Sequence, residues 1–289
     1  MDVDLSPSSL PSTYYEPPGG TQSSSRLLKL IETADSWQAL AAISDEFGQH
    51  EYVFGAQHQD AMLAALPKLT SANSREPRLI TLIDTLLAQQ SQRRHTLLQP
   101  LAMVRVMQVL VGLRHTPAPI LFDPFMEKVC SSFGAFPSDW LGWLTASYDL
   151  LHHVPSARWA AALLAQVADK PSPRAFAGAF KCLGRRRVPL SQRVLHPCLV
   201  KFQSQFGTQR GASVSWVIWG AGRLGYRPLP GWKATVLEGV RRRWDGLDVR
   251  DCVRVAWGFA QMGMDMGQGM ELNLMERMGV WLQGGEAAG

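Results

Sequence analysis

Val214-Ser215-Trp216-Val217-Ile218-Trp219-Gly220-Ala221-Gly222-Arg223-Leu224-Gly225-Tyr226 is a passage the chain writes a second time. The second copy reads Cys252-Val253-Arg254-Val255-Ala256-Trp257-Gly258-Phe259-Ala260-Gln261-Met262-Gly263-Met264. Trp219 and Trp257, Gly220 and Gly258, and Gly225 and Gly263 each stand 38 residues apart. A fixed period of this size is the signature of a stacked repeat array. Between the copies, Pro228 and Pro230 close a loop. Trp232, Val236, Leu237, Val240 and Trp244 then form one apolar stripe of an amphipathic helix. The unit is therefore a helix, a Leu-Gly or Met-Gly stop, a Pro-rich turn and a second helix. Glycine just past a helix end suits the left-handed position that other residues occupy at a cost.

Working outward, the rest of the chain reads as helix. Of its 289 residues, 46% are hydrophobic, enough for a buried core, and only 18% are charged, too few for a disordered chain. Period-two β-branched runs are scarce, which favours an all-α fold. No apolar run reaches the roughly 18 residues of a membrane span; the best candidate, 101–113, is interrupted by Arg105 and Gln108. Residues 1–25, rich in Ser, Pro and Gly, are expected to be disordered. They carry Asp2, Asp4 and Glu16 and no basic residue, unlike an Arg-rich transit peptide.

The helical-repeat array spans 26–283, clearest over 212–283, with 284–289 as a tail. After a short helix at Leu27–Ile31 and one capped by Ser36, helices are expected near 56–69, 77–89, 97–113, 120–133, 138–151, 156–167 and 173–183. Others are expected near 191–206, 212–224, 230–244, 248–262 and 269–282. Leu69, Leu113, Leu150, Leu183, Leu224 and Met262 mark helix ends at intervals of 44, 37, 33, 41 and 38. Five to six two-helix units of about 38 residues, stacked as an α-solenoid, is the simplest organisation. An irregular α-helical domain with one duplication is the alternative.

The passage Pro228-Leu229-Pro230-Gly231-Trp232, with Leu237, Leu247, Asp251 and Trp257-Gly258-Phe259-Ala260-Gln261-Met262-Gly263-Met264, resembles one unit of the octotricopeptide repeat family. That family's unit has a Pro-x-x-Trp opening, a Gln-Asp-Leu-Ala-Asn-like helix start and a Trp-Ala-Leu-Ala-x-Leu-Gly helix end. Here the start is Arg250-Asp251-Cys252-Val253-Arg254, which keeps the Asp and replaces the Asn. Animal and apicomplexan proteins with degenerate helical repeats are similar too. The resemblance implies a right-handed solenoid that binds single-stranded RNA in a chloroplast or mitochondrion, in RNA maturation, stability, translation or ribosome assembly. Family members often carry a C-terminal endonuclease-like domain. No such segment is present in these 289 residues, so no catalysis is expected of them.

Charge supports a polyanion partner. Residues 174–254 hold 16 Lys plus Arg against four Asp plus Glu, a local +12 in a chain of net charge +5. A basic inner surface suits a phosphate backbone, since each neutralised phosphate releases counterions. The candidate RNA-binding residues are Lys181, Arg185, Arg186, Arg187, Trp216, Arg223, Arg241, Arg242, Arg243, Arg250 and Arg254. Trp216 and its partner one unit later, Arg254, change type while their neighbours hold, as side chains that read bases would. Trp219, Trp232, Trp244 and Trp257 recur at unit-defining positions and read as packing residues.

Other chemistries find little footing. Gly220-Ala221-Gly222-Arg223-Leu224-Gly225 matches a dinucleotide-binding glycine pattern, but its second copy keeps only the outer glycines and no strand-end acid follows. The seven histidines form no metalloprotease-type pair, Cys130, Cys182, Cys198 and Cys252 form no zinc pattern, and no Ser or Cys sits in a nucleophile context. No metal, cofactor or catalytic residue is expected. The cysteines read as reduced core residues. Two rival partners remain open: another protein, since solenoids bind proteins as readily as RNA, and folded rRNA, with the chain a structural subunit of an organellar ribosome.

Overall fold

The computed structural model describes residues 21–48, 54–69, 76–92 and 100–286. Among these the fold is all-α, with fourteen α-helices and no strand. In order they are α1 (Thr21–Thr33), α2 (Trp37–Phe47), α3 (Ala56–Leu69), α4 (Pro77–Gln92), α5 (Pro100–Gly112), α6 (Pro119–Ser131) and α7 (Ser138–Leu150). Then come α8 (Ala157–Asp169), α9 (Pro173–Arg186), α10 (Gln192–Ser204), α11 (Gly211–Arg223), α12 (Pro230–Arg241), α13 (Val249–Gln261) and α14 (Gln268–Glu286). Short 3₁₀ turns at Phe133–Ala135, Phe206–Thr208 and Trp244–Gly246 separate the ends of α6, α10 and α12 from the next helix. The sequence pattern ends those three helices at Phe133, Phe206 and Trp244, the first residue of each turn, two to three residues beyond their α-helical ends. Helix α1 begins at Thr21, so residues 21–25 are helical rather than disordered; the expected disorder of 1–20 and the last tail residues, 287–289, lie outside the described residues.

Helix boundaries recur with one rhythm. Helices α5, α7, α9, α11 and α13 start at 100, 138, 173, 211 and 249, intervals of 38, 35, 38 and 38. Helices α6, α8, α10, α12 and α14 start at 119, 157, 192, 230 and 268, the same intervals. Left-handed residues just past the ends of the first set fall at Arg114, His152, Arg187, Gly225 and Gly263, again at 38, 35, 38 and 38. The 35-residue interval is the one whose second helix, α8, has no 3₁₀ turn after it, and three residues is the length of that turn. The Leu-based ruler gave uneven steps because the leucines it used sit at non-equivalent places in the last helical turn.

The chain divides into two compact units, 1–129 and 130–289. In the first, α1, α3 and α5 pack successively, as do α2 and α4. His58 ties the layer together: its Nδ1 accepts from the Gly55 amide at 2.9 Å, and its Nε2 lies 3.1 Å from the Ser24 carbonyl. Gln59 donates to Gln89 at 2.8 Å, and His115 lies 2.9 Å from Asp84.

In the second unit α7, α9, α11 and α13 pack in succession, and α8, α10 and α12 form the other layer. The first layer is close because small residues face backbone. A Cβ on Gly220 would strike the Phe180 carbonyl, and one on Gly258 would stand 2.6 Å from the Ile218 carbonyl oxygen. These are the two glycines that recur in the sequence, and their reason is helix contact. The core of this unit includes Phe176, Phe180, Leu195, Leu199, Phe202, Val217, Ile218, Val236, Val240 and Phe259, each fully buried. Each such side chain contributes about 1.5–3 kcal/mol. Hydrogen bonds between neighbouring units span similar sequence distances: the Trp232 Nε1 donates to the Leu199 carbonyl (3.1 Å), the Arg243 guanidinium to the Gly207 carbonyl (2.9 Å), and the Trp244 Nε1 to Asn273 (3.0 Å).

No helix among the described residues is long and apolar enough to cross a membrane.

Candidate nucleic-acid interface

One stripe of each helix in the α9–α11–α13 layer carries cations and indoles. On α11 the stripe is Trp216, Trp219 and Arg223, spaced i, i+3, i+7, so all three share a face. Their counterparts one helix earlier are Lys181 and Arg185, and one helix later Arg254 and Trp257.

Trp216 is the centre. The Arg254 guanidinium lies 4.2 Å from its ring centroid, the Lys181 ammonium 5.0 Å and the Arg185 guanidinium 5.5 Å. Three cations from the two helices flanking α11, two on α9 and one on α13, are thus held at one half-buried indole by attraction to the ring's negative faces, each worth about 0.5–1 kcal/mol at such exposure. Two carboxylates orient the two arginines. Asp251, 5% exposed, accepts from Arg254 at 2.6 Å and from the Ser215 hydroxyl at 2.5 Å. Asp149 on α7, 4% exposed, accepts from Arg185 at 2.7 Å. Each carboxylate partners a cation from its own or the next helix, so the cations are both fixed in place and partly neutralised.

The strip continues past Trp216. Trp219 meets it edge-on at 5.5 Å and lies 6.0 Å from Trp257, and the Arg223 guanidinium stands 5.7 Å from both of the latter rings. Toward the other end, Arg174 of α9 covers the exposed Trp143 of α7 at 4.9 Å. Along the strip, five cations (Arg174, Lys181, Arg185, Arg223, Arg254) face two buried carboxylates.

Of the residues the sequence put forward, the structure gathers Lys181, Arg185, Trp216, Arg223 and Arg254 on this strip. The rest lie elsewhere. Arg186 is turned inward, donating to the Asp149 carbonyl at the end of α7. Arg187 is exposed in the left-handed position after α9. Arg250 is exposed in the first turn of α13. Arg241, Arg242 and Arg243 close α12, in the other layer: Arg242 pairs with Glu238 at 2.9 Å, and Arg243 packs over Phe206 at 5.0 Å while holding Gly207. The basic surplus is therefore divided between two layers and does not form one surface. Trp219 and Trp257, read from the sequence as packing residues, are half-buried and belong to the strip. Their i+3 spacing from Trp216 and Arg254 was the available signal.

The glycine pattern 220–225 lies within and just after α11, with no strand before it. Burial pushes the Cys182 and Cys198 thiols up to about 12, with Asp149 adding to the shift at Cys182, so both stay protonated. Among the described residues no three His, Cys, Asp or Glu side chains gather where they could hold a metal ion. Flat indole and guanidinium faces beside fixed cations can stack on bases and meet phosphates. No protein-family model matches the chain, and no curated protein matches it.

Proposed function

We propose that the chain is an α-solenoid of two-helix units of 35–38 residues that binds single-stranded RNA without catalysis, through the strip on α9, α11 and α13. The observation that carries this reading is the cluster of Lys181, Arg185 and Arg254 around Trp216, continued by Arg223 between Trp219 and Trp257. A single strand offers bases to stack on the indoles and phosphates to neutralise the cations. The recurring intervals of 38, 35, 38 and 38 in helix starts support the repeat organisation, and with it membership of the octotricopeptide repeat family. On that reading the protein acts in chloroplast or mitochondrial RNA maturation, stability or translation.

The test is fluorescence anisotropy with a labelled random single-stranded RNA pool and a matched duplex. The single strand binds more tightly, and Trp216→Leu with Trp257→Leu removes most of that preference while circular dichroism stays unchanged. Equal affinity for duplex, or no binding at low salt, overturns the proposal.

A further inference from the structure

Arg185 and Arg223 hold the same place on α9 and α11, where α7 has Leu150 and α13 has Gln261. The surroundings of the two arginines differ. Arg223 lies between Trp219 and Trp257, its Nε buried and unpartnered, and among the described residues no carboxylate pairs with it. The reason is one substitution in the preceding helix. The residue of α9 that corresponds to Asp149 of α7 is Gly184, which lies against Gly220, Trp219 and Arg223. Close helix contact there leaves no room for a carboxylate.

Arg185 does meet that carboxylate. Asp149, 4% exposed, accepts from its Nη1 at 2.7 Å. A charge-assisted bond to a buried acceptor fixes the guanidinium plane. Trp216 stands beside it, 5.5 Å to the ring centroid. The edge formed by Nε and Nη2 is left over. Neither donor has a partner among the described residues, and the side chain is 46% exposed. Helices α7 and α11 pack on α9 from both sides, so this edge is open within the layer and not at its end.

A fixed fork of two parallel N–H donors asks for two adjacent acceptors. In a single strand guanine offers O6 and N7, and cytosine offers O2 and N3. Adenine and uracil alternate donors with acceptors and offer no such pair. Guanine's pair is the more negative, and a purine covers more of an indole than a pyrimidine does. We infer that Arg185 selects a guanine in the bound strand, taking its O6 and N7 on the Nε–Nη2 edge while Trp216 stacks on the base. Lys181, a point charge without a fork, meets the adjoining phosphate. The charge on Arg185 still acts on the backbone phosphates; what the fork adds is the choice of base. The inference rests on the RNA reading above and gives it a sequence preference.

The test measures competition by short oligouridines that carry one central substitution, using the full chain. A guanosine raises affinity about tenfold over uridine. Inosine, which keeps O6 and N7, matches guanosine, and 7-deazaguanosine, which lacks N7, falls back to the level of uridine. Arg185→Lys, which keeps the charge and loses the fork, reduces the guanosine preference to less than about twofold. Equal affinity for all bases, a preference for cytidine, full affinity for 7-deazaguanosine, or weak binding of inosine overturns the proposal and leaves the RNA reading standing. So does an Arg185→Lys variant that binds every strand more weakly by one factor, the mark of a phosphate contact. No binding of any oligonucleotide at low salt overturns both.

Discussion

Replacing Gly258 by alanine tests the close helix approach on which the strip depends. In an open helix interior this change stabilises by up to about 1 kcal/mol, because glycine carries the larger entropy loss. At Gly258 the added Cβ would stand 2.6 Å from the Ile218 carbonyl oxygen, 2.8 Å from its carbon and 2.9 Å from its Cγ2. Two of those atoms are helix backbone and cannot rotate away, so α11 and α13 must move apart. Overpacking of this kind costs about 1–3 kcal/mol and outweighs the propensity gain, leaving a net loss of about 1–2 kcal/mol. Gly279, in the interior of α14 with nothing within 4 Å of an added Cβ, is the matched control and keeps the propensity gain. At about 2–4 °C per kcal/mol, Gly258→Ala lowers the melting temperature by about 2–8 °C while Gly279→Ala leaves it level or raises it. Far-UV circular dichroism during heating reads both. Equal stabilisation by the two changes would refute the reasoning, since it would mean that α11 and α13 leave room for a methyl group.

Three further outcomes follow from single features. Arg187 sits at φ 51°, which costs a non-glycine residue about 1 kcal/mol or more, so Arg187→Gly stabilises by about 0.5–1 kcal/mol after the entropy it adds to the unfolded chain; urea denaturation checks the sign. Ser215→Ala costs about 1 kcal/mol, and Asp251→Ala about 2–3 kcal/mol, because the latter strands both Ser215 and Arg254; the double change is less than additive in a denaturation cycle. The buried Cys182 and Cys198 thiols ionise only near 12 in the folded protein but near 9.0 when unfolded. Their contribution is therefore complete below pH 9, and stability falls as pH rises from there toward 12, by up to about 1.4 kcal/mol per thiol per pH unit. Thiol titration at pH 8 finds both unreactive until the protein is unfolded.

The duplicated passage around Trp219 and Trp257 makes α11 and α13 legible before any coordinates, because glycine at a close contact and glycine past a helix end leave marks no other residue imitates. Further upstream the same architecture is written in other letters. The left-handed positions after α5, α7 and α9 are Arg114, His152 and Arg187, which accept the strain, so the residue that would announce the period is missing. The shortened interval between α7 and α9 shifts the register by three residues and blurs any search at a fixed offset. The site was half legible. Trp216 and Arg254 stood out by changing type at one repeat position, and the structure brings them to 4.2 Å. Arg241–Arg243 drew attention as a run, but adjacent residues point in different directions on a helix, and α12 belongs to the other layer. A charge run in sequence reports a surplus without reporting a surface.

The most direct test of the central claim is the salt dependence of RNA affinity in two charge variants, each changing Lys or Arg to Gln. One alters Lys181, Arg185, Arg223 and Arg254; the other alters Arg241, Arg242 and Arg243. Each phosphate contact on a single strand adds about 0.7 to the slope of log affinity against log salt. The strip variant therefore loses about 3 from that slope, on the order of 50-fold in affinity between 200 and 50 mM salt, while the α12 variant loses less than about 1. A larger loss from the α12 variant, or an unchanged slope in the strip variant, would contradict the account.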